Sequence, residues 1–369
     1  SGDNTSLSSN STMFTNASVL RSTALACPTP VWGEEHEAGR VFLSVFHLGE
    51  AVTRERGEIE FVFEEAWASL APVSGPAQGG VAITFSGYGF VNESDYECVF
   101  TANGTDRVSS STVVSVRSPT ELTCELPRWE HPQEDTIVSL LLASSPVHLL
   151  PPAPPSFRYL HSWNVVEVSL GPALGGTLLT ITGAGFDAAL NYSCSFASEM
   201  WRAASPAAVL SADSLECVTP YWNASAELVA LTIRGALSSS PAGNASSGNA
   251  SSAFPEEAVL LDGAAGTFLF LAGYRDASPI SASAAGGASI TVTGYGLNTS
   301  APRGQYQCAW SLVAPVDVPD TPEVWPADVL LTDADVLSVT RLTCDAAAFG
   351  ATFPAGLALL TISEYGGEL

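Results

Sequence analysis

Gly75-Pro76-Ala77-Gln78-Gly79-Gly80 opens a block that passes through an alternating stretch containing Ile83 and Phe85 to Gly87-Tyr88-Gly89-Phe90. It continues with Tyr96-Glu97-Cys98-Val99-Phe100 and ends at Leu122-Thr123-Cys124-Glu125-Leu126-Pro127. The block then recurs as Gly171-Pro172-Ala173-Leu174-Gly175-Gly176, Gly183-Ala184-Gly185-Phe186, Tyr192-Ser193-Cys194-Ser195-Phe196 and Leu215-Glu216-Cys217-Val218-Thr219-Pro220. A third occurrence has Gly286-Gly287, Gly294-Tyr295-Gly296-Leu297, Tyr306-Gln307-Cys308-Ala309-Trp310 and Leu342-Thr343-Cys344, with Ser281 read in the place of the first glycine. Each time, the second glycine of the pair stands seven residues before the first glycine of the Gly-x-Gly. Self-similarity at a fixed period marks a repeat architecture.

The runs 81–85, 178–182 and 289–293 are rich in β-branched residues and bounded by glycines, as strands are. No stretch shows sustained helical spacing with caps. Strands recurring with turn signals over about 100 residues predict an all-β chain of tandem β-sandwich repeats. The expected boundaries are 1–66 for the end of a truncated repeat, 67–165 for repeat one, 166–273 for repeat two and 274–369 for repeat three.

The Gly-Gly turn, the Gly-x-Gly and the Tyr-x-Cys-x-Phe strand together resemble the IPT/TIG family, and the likeness covers nearly the whole chain. That family comprises the immunoglobulin-like modules of plexin and growth-factor-receptor stalks, fibrocystin-like proteins and some transcription factors. The resemblance, together with the spacing, pairs Cys98 with Cys124, Cys194 with Cys217 and Cys308 with Cys344. The seventh cysteine lies in Leu25-Ala26-Cys27-Pro28-Thr29-Pro30, which aligns with the second-cysteine segment of each repeat. Its partner is therefore expected upstream of Ser1. Repeat three is expected to be incomplete at its C-terminus, because 357–363 reads as a late strand with no successor comparable to 157–159 or 267–271.

Ten of the eleven asparagines begin an Asn-x-Ser/Thr sequon: Asn4, Asn10, Asn16, Asn92, Asn103, Asn191, Asn223, Asn244, Asn249 and Asn298. Chance would place about two of eleven there in a chain this rich in Ser and Thr, so covalent N-glycans on exposed loops and a secretory route are expected. Low complexity accounts for Asn244 and Asn249 equally well. An oxidising compartment also suits the cysteines, which show no Cys-x-x-Cys or Cys/His ligand spacing.

Thirty-eight acidic residues face 13 basic ones, all arginine, for a net charge of −25. Such a surface repels phosphate backbones and anionic headgroups, which argues against nucleic-acid partners and peripheral membrane binding. The best apolar stretch, 258–274, holds Asp262 and three glycines, so no membrane insertion is expected of these residues.

Signals of chemistry are few. Gly183-Ala184-Gly185-Phe186-Asp187-Ala188 matches a dinucleotide fingerprint, but a strand is expected to follow it where a helix is required. His36, His47, His131, His148 and His161 are scattered without acidic or nucleophilic partners, so no catalytic residue and no cofactor is expected. Asp333 and Asp335, with Asp317 and Asp320, suit either a calcium site or, better, a solvated acidic loop, and no metal is assigned. Two inserts stand between the last two strands. In 144–156, Pro151, Pro152, Pro154 and Pro155 favour polyproline II, a docking or O-glycan loop; 237–253 reads as a flexible glycosylated loop. The tryptophans Trp129, Trp163, Trp201, Trp222, Trp310 and Trp325 are read as occupying different places in each repeat, for core packing or glycan stacking.

The resemblance implies a non-enzymatic extracellular or cell-surface glycoprotein for adhesion or assembly, a ciliary surface fibre included, whose partners are other extracellular proteins and copies of itself. Two further readings are a receptor ectodomain stalk and a carbohydrate-binding accessory module of a secreted enzyme. A transcription-factor role would need basic DNA-contacting loops, which a lysine-free acidic chain lacks.

Overall fold

The computed structural model describes residues 12–150, 155–237, 257–261, 266–312, 329–351, 356–364 and 367–368. These form two compact units, Ser1–His161 and Ser162–Leu369, and every described element is a strand or a single 3-10 turn.

In the first unit, repeat one builds two sheets. One runs Val108–Ser111, Tyr96–Ala102, Asp135–Leu142, Ser156–Leu160, Ser74–Pro76; the other runs Val114–Ser118, Glu121–Glu125, Ala82–Tyr88, Ala66–Ala71, His148–Leu149. The two-residue period of a strand sends alternate side chains inward. Tyr96, Cys98, Phe100 and Ala102 from the first sheet meet Ile83, Phe85, Leu122 and Cys124 from the second, all buried. A Cys98–Cys124 disulfide ties one sheet to the other.

In the second unit, repeat two keeps this order with one change. Arg202–Ser211 is a single strand that pairs first with Leu190–Ala197 and then with Ser214–Val218, joining both layers into one ten-stranded sheet. Leu330–Ser338 does the same in repeat three. The bridges here are Cys194–Cys217 and Cys308–Cys344.

The start of repeat two differs from the expected boundary at 165/166. Ser162–Val166 pairs with Leu178–Ala184, and Trp163 sits in the core of repeat two. Alternation runs straight from Ser156–Leu160 into this strand across His161 alone, with no glycine or proline to mark the change. Likewise Gly273–Ser278 opens repeat three one residue early.

The repeated glycines serve two purposes. Gly89, Gly185 and Gly296 have φ of +75°, +79° and +68°, a left-handed turn that side chains with a Cβ resist. The first glycine of each Gly-x-Gly instead permits close packing: a Cβ on Gly87 would stand 2.3 Å from the Ala66 carbonyl oxygen, and one on Gly183 2.2 Å from that of Ser162. In repeat three, Gly286 N–H donates to Ser283 O as Gly79 does to Pro76 O and Gly175 to Pro172 O. Ser283 thus replaces the proline, and Ala282, not Ser281, replaces the glycine before it.

The described residues of the repeat-one insert include strand pairing. Its first half crosses between the sheets: Val147 N–H donates to Leu140 O, and His148–Leu149 then pairs parallel with the opening strand. Val259 and Leu260–Leu261 repeat this crossing in repeat two, with Val259 N–H donating to Ile233 O. Pro155 is held to the sheet through its carbonyl, which accepts from Val138 N–H, while Pro151, Pro152 and Pro154 lie outside the described residues.

The tryptophan reading needs correction as well. Trp129 and Trp222 each stand five residues after the second cysteine of their repeat, and both are fully buried. Trp129 stacks on Tyr159 (4.9 Å, 16°) and Trp222 on Phe270 (4.8 Å, 8°). Each backbone N–H donates to the alanine before the Gly-Gly turn, and each indole N–H caps a carbonyl three residues on. Trp32, five residues after Cys27, stacks on Phe63 (5.3 Å, 9°) in the same manner. Around it, the hairpin Ser18–Arg21 with Ala24–Ala26 leads to Cys27, and Gly39–Leu43 pairs with Ile59–Phe63. Trp67 and Trp163 form a second equivalent pair, both buried on the opening strands. Trp325 lies outside the described residues.

Candidate functional site

Three features recur at the Gly-x-Gly end of the repeats: a tyrosine clasp, a docking carbonyl and a sequon. The clasp comes from the tyrosine two residues before the first cysteine. Its hydroxyl accepts the backbone N–H of Val91 in repeat one (2.9 Å), Asp187 in repeat two (3.1 Å) and Asn298 in repeat three (3.1 Å). This fixes the loop that follows the glycine turn and satisfies an N–H held next to the core. Burial pushes Tyr96 and Tyr192 up to about 12, although the accepted N–H acts in the opposite direction. Tyr306 is raised for the same reason.

Two outcomes are expected of the clasp. Tyr96→Phe leaves the Val91 N–H without its acceptor and costs repeat one about 1 kcal/mol, measured by urea unfolding. Above the ordinary tyrosine range the unfolded chain loses these protons first, so stability is intact below about pH 10 and falls as pH rises toward about 12. The tyrosinate absorbance of Tyr96 and Tyr192, read by difference from their Phe variants, should therefore lag behind that of free tyrosine until the fold is lost. Titration at the free-tyrosine value with the fold intact would contradict the burial.

The docking carbonyl belongs to the second glycine. Gly89 O accepts from Ala38 N–H at 2.8 Å while Gly89 N–H donates to Gly33 O, and Glu37 Oε1 accepts from Asn92 N–H. Gly296 O accepts from Ala226 N–H at 2.8 Å, and Leu297 O from the Ser225 hydroxyl. A Cβ on Gly89 would approach Ala38, and one on Gly296 would come within 2.9 Å of Ala173. Tyr295 also packs against the repeat-two core. The second glycine is thus both the apex of a turn and the point where the preceding segment sits down.

Three of the sequons stand near this end. Asn92 and Asn298 lie two or three residues past the docking glycine, and Asn191 is the second residue of the first cysteine strand of repeat two. Asn16, Asn92, Asn103, Asn191 and Asn223 are exposed and Asn298 is half-buried. Asn298 Oδ1 accepts the Ser300 N–H at 2.9 Å, which leaves its amide nitrogen for substitution. Asn4, Asn10, Asn244 and Asn249 lie outside the described residues.

The residues weighed for chemistry do not converge. After Gly183-Ala184-Gly185, Phe186 is buried edge-on against Tyr192 and a turn leads into the strand Leu190–Ala197, so no helix N-terminus faces the glycines. Asp335 faces Arg303 at 3.6 Å and Asp333 accepts from Gln307; Asp317 and Asp320 lie outside the described residues. Among the described residues no group of three or more His, Cys, Asp or Glu gathers, and no helix is long and apolar enough to cross a membrane. His36 and His131 rest against the rings of Trp32 and Trp129, and Cys27 is exposed and outside the three disulfides.

Tandem immunoglobulin-like β-sandwiches, each stapled by one disulfide between its cysteine strands, are the class that this architecture defines. Residues 68–159 and 165–249 each match the IPT/TIG domain, so the chain carries two tandem copies of it. Among solved structures, the chain is similar to the full extracellular region of Plexin A4 at 16% identity and a TM-score of 0.21 over 81% of this chain. It spans about a fifth of that protein, 22%. It is also similar to the FN1-FN3 domains of chicken CNTN1 (12% identity, TM-score 0.23, 82% of this chain and 98% of that one). A third likeness is the D1-D4 ectodomain fragment of ICAM-5 (13%, 0.20, 81% and 73%). No curated protein matches the chain.

Proposed function

We propose that this chain is a non-catalytic extracellular glycoprotein that acts in cell-surface adhesion or as a structural subunit of an extracellular assembly. The observation that carries this reading is the sequon distribution: ten of eleven asparagines lie in sequons, and the six among the described residues all reach solvent. Glycans at Asn92, Asn191 and Asn298 would cover the loops at the Gly-x-Gly end and leave sheet edges free for other extracellular proteins or further copies of the chain. Residues 273–364 are assigned to a third IPT/TIG repeat, on their glycine turns, tyrosine clasp and disulfide. Residues 12–63 are assigned to the second half of another, on the Trp32–Phe63 stack.

Enzymatic release of N-glycans from the protein purified from its native source, with the mass change mapped to peptides, tests the reading. Glycans are expected at Asn92, Asn191 and Asn298; bare asparagines at all three would remove its basis. Electron microscopy of the same sample separates the two roles. Copies repeating along an axis support an assembly subunit, of which a ciliary surface fibre is one form, and isolated particles support adhesion.

A further inference from the structure

One face of repeat two carries the opposite charge to the molecule. In the cysteine-strand sheet, Leu190–Ala197 lies between Arg202–Ser211 and Leu228–Leu237. The two-residue period turns Ser193, Ser195 and Ala197 outward, while Tyr192, Cys194 and Phe196 enter the core. Register places Arg234 opposite Ser193 and Arg202 opposite Ala197. Both arginines therefore stand on this outer face, on opposite flanks of one strand and about 13 Å apart along it. None of the outward positions of these strands, from Asn191 to Ala197, Arg202 to Ala208 and Leu228 to Ala236, is acidic. The same face of repeat one carries Glu97 and Asp135, and that of repeat three Asp333, with no arginine on either set of strands. Leu141 and Ser363 stand where repeat two has Arg234.

Between the two arginines the floor is made of small side chains, Ser193, Ser195, Ala204 and Pro206. They leave a trough of about 560 Å³, within the range of small-ligand sites. Arg234 is half-buried and Arg202 exposed, and neither has an ion-pair partner among the described residues, whereas Arg40, Arg107, Arg117 and Arg303 do.

The walls of the trough select what it can hold. The backbone of Leu190–Ala197 is bonded to a neighbour on both sides, so an extended peptide finds no free ladder of N–H and C=O groups here. Recognition falls to guanidinium and hydroxyl groups. A guanidinium grips a carboxylate with two parallel bonds, and serine hydroxyls both donate to and accept from other hydroxyls. Asn191, in a sequon, is two residues from Ser193 on the same strand and so on the same face. The net charge of −25 does not forbid an acidic ligand, because at physiological salt distant carboxylates are screened beyond about 8 Å.

We propose that this trough binds a carboxylate-bearing sugar, with Arg234 on the carboxylate and Arg202, Ser193 and Ser195 on the hydroxyls of the sugar and its neighbour. Two sources carry that chemistry: the acidic end of a glycan on Asn191 of the same chain, and an acidic oligosaccharide of another molecule.

The test uses the whole 369-residue chain with Asn191→Gln, so that it does not depend on the glycoprotein reading. The probe is sialyllactose, and lactose is its neutral parent. Titration followed by amide NMR is expected to show saturable shifts at 193–195 and 234 with sialyllactose and none with lactose. Arg234→Gln is expected to weaken binding by about tenfold or more, as for a lost hydrogen bond to a charged group, and Arg202→Gln by less. Arg234→Lys keeps the charge and loses the fork, so its affinity should fall between parent and Arg234→Gln. The proposal is overturned by no binding of sialyllactose or by equal shifts with lactose. It is also overturned if the Arg202→Gln, Arg234→Gln double variant keeps the parent's melting temperature and binds the probe as tightly. The chain with Asn191 intact, made in a glycosylating host, separates the sources. Weaker probe binding that sialidase treatment restores assigns the trough to the chain's own glycan, and binding equal to that of Asn191→Gln assigns it to an outside oligosaccharide.

Discussion

Trp129→Ala is expected to destabilise repeat one by about 3–5 kcal/mol, the range for removing a large aromatic side chain from a core. The indole is completely buried and stacks on Tyr159, whose own ring touches Phe100 and Phe157. Its loss opens a cavity beneath the closing strand Ser156–Leu160 and removes the donor to Pro132 O. Against a domain stability of roughly 5–15 kcal/mol, that brings the repeat close to unfolding at physiological temperature. Calorimetry of Trp129→Ala should show one transition moved strongly downward, with repeat two's transition nearly in place, and Trp222→Ala should do the reverse. Trp129→Phe keeps a ring on Tyr159 and loses only the indole donor and part of the volume, so it should recover more than half of the loss. A Trp129→Ala protein within 1 kcal/mol of the parent would show that the stacked ring is not what seats the closing strand.

The second large effect is expected from the disulfides. The three bridges close loops of 26, 23 and 36 residues, which in the chain-entropy description restrict the unfolded state by about 3.4–3.8 kcal/mol each. Replacing both Cys308 and Cys344 with Ala removes the longest of these links from repeat three, the repeat with the smallest described core. That double variant is expected to lose about 4 kcal/mol and to be the least stable of the three paired substitutions, read from denaturant midpoints under oxidising conditions. The paired cysteines are buried to 0–3%, so a reductant should reach them only after local opening. If all three double variants unfold at the parent midpoint, the bridges contribute nothing beyond packing.

What could be read from the residues follows from how tightly each one is constrained. A glycine at φ near +75° or pressed against a carbonyl has few substitutes, so the Gly-Gly and Gly-x-Gly positions kept their spacing through three repeats and displayed the period. The cysteine strands were legible for the same reason. The tryptophan clamp was hidden because it stands outside the quoted motif and because Phe349 fills its place in repeat three. Counting five residues on from Cys27, Cys124 and Cys217 would have found it. The crossing strands at His148–Leu149 and Leu260–Leu261 are two residues long and lie beside a proline run in one repeat and a Ser/Gly-rich run in the other, so composition masked them. The docking carbonyls of Gly89 and Gly296 carry no side-chain signal at all; only the backbone reveals them.

The closing strand of repeat two has a mechanical consequence. Thr267–Leu271 ends one residue before Gly273–Ser278 begins, so tension arriving through repeat three reaches it without a compliant linker. It lies parallel to Leu170–Pro172, near the other end of the same repeat, and a pull on the two chain ends therefore slides these strands past each other lengthwise. Parallel ladder bonds are evenly spaced along the strand, so such a slide strains them together and does not peel them one at a time. Forced unfolding is governed by the rate of crossing that barrier, not by equilibrium stability. A sandwich of only moderate thermodynamic stability can in this way hold a stretched chain for a long time.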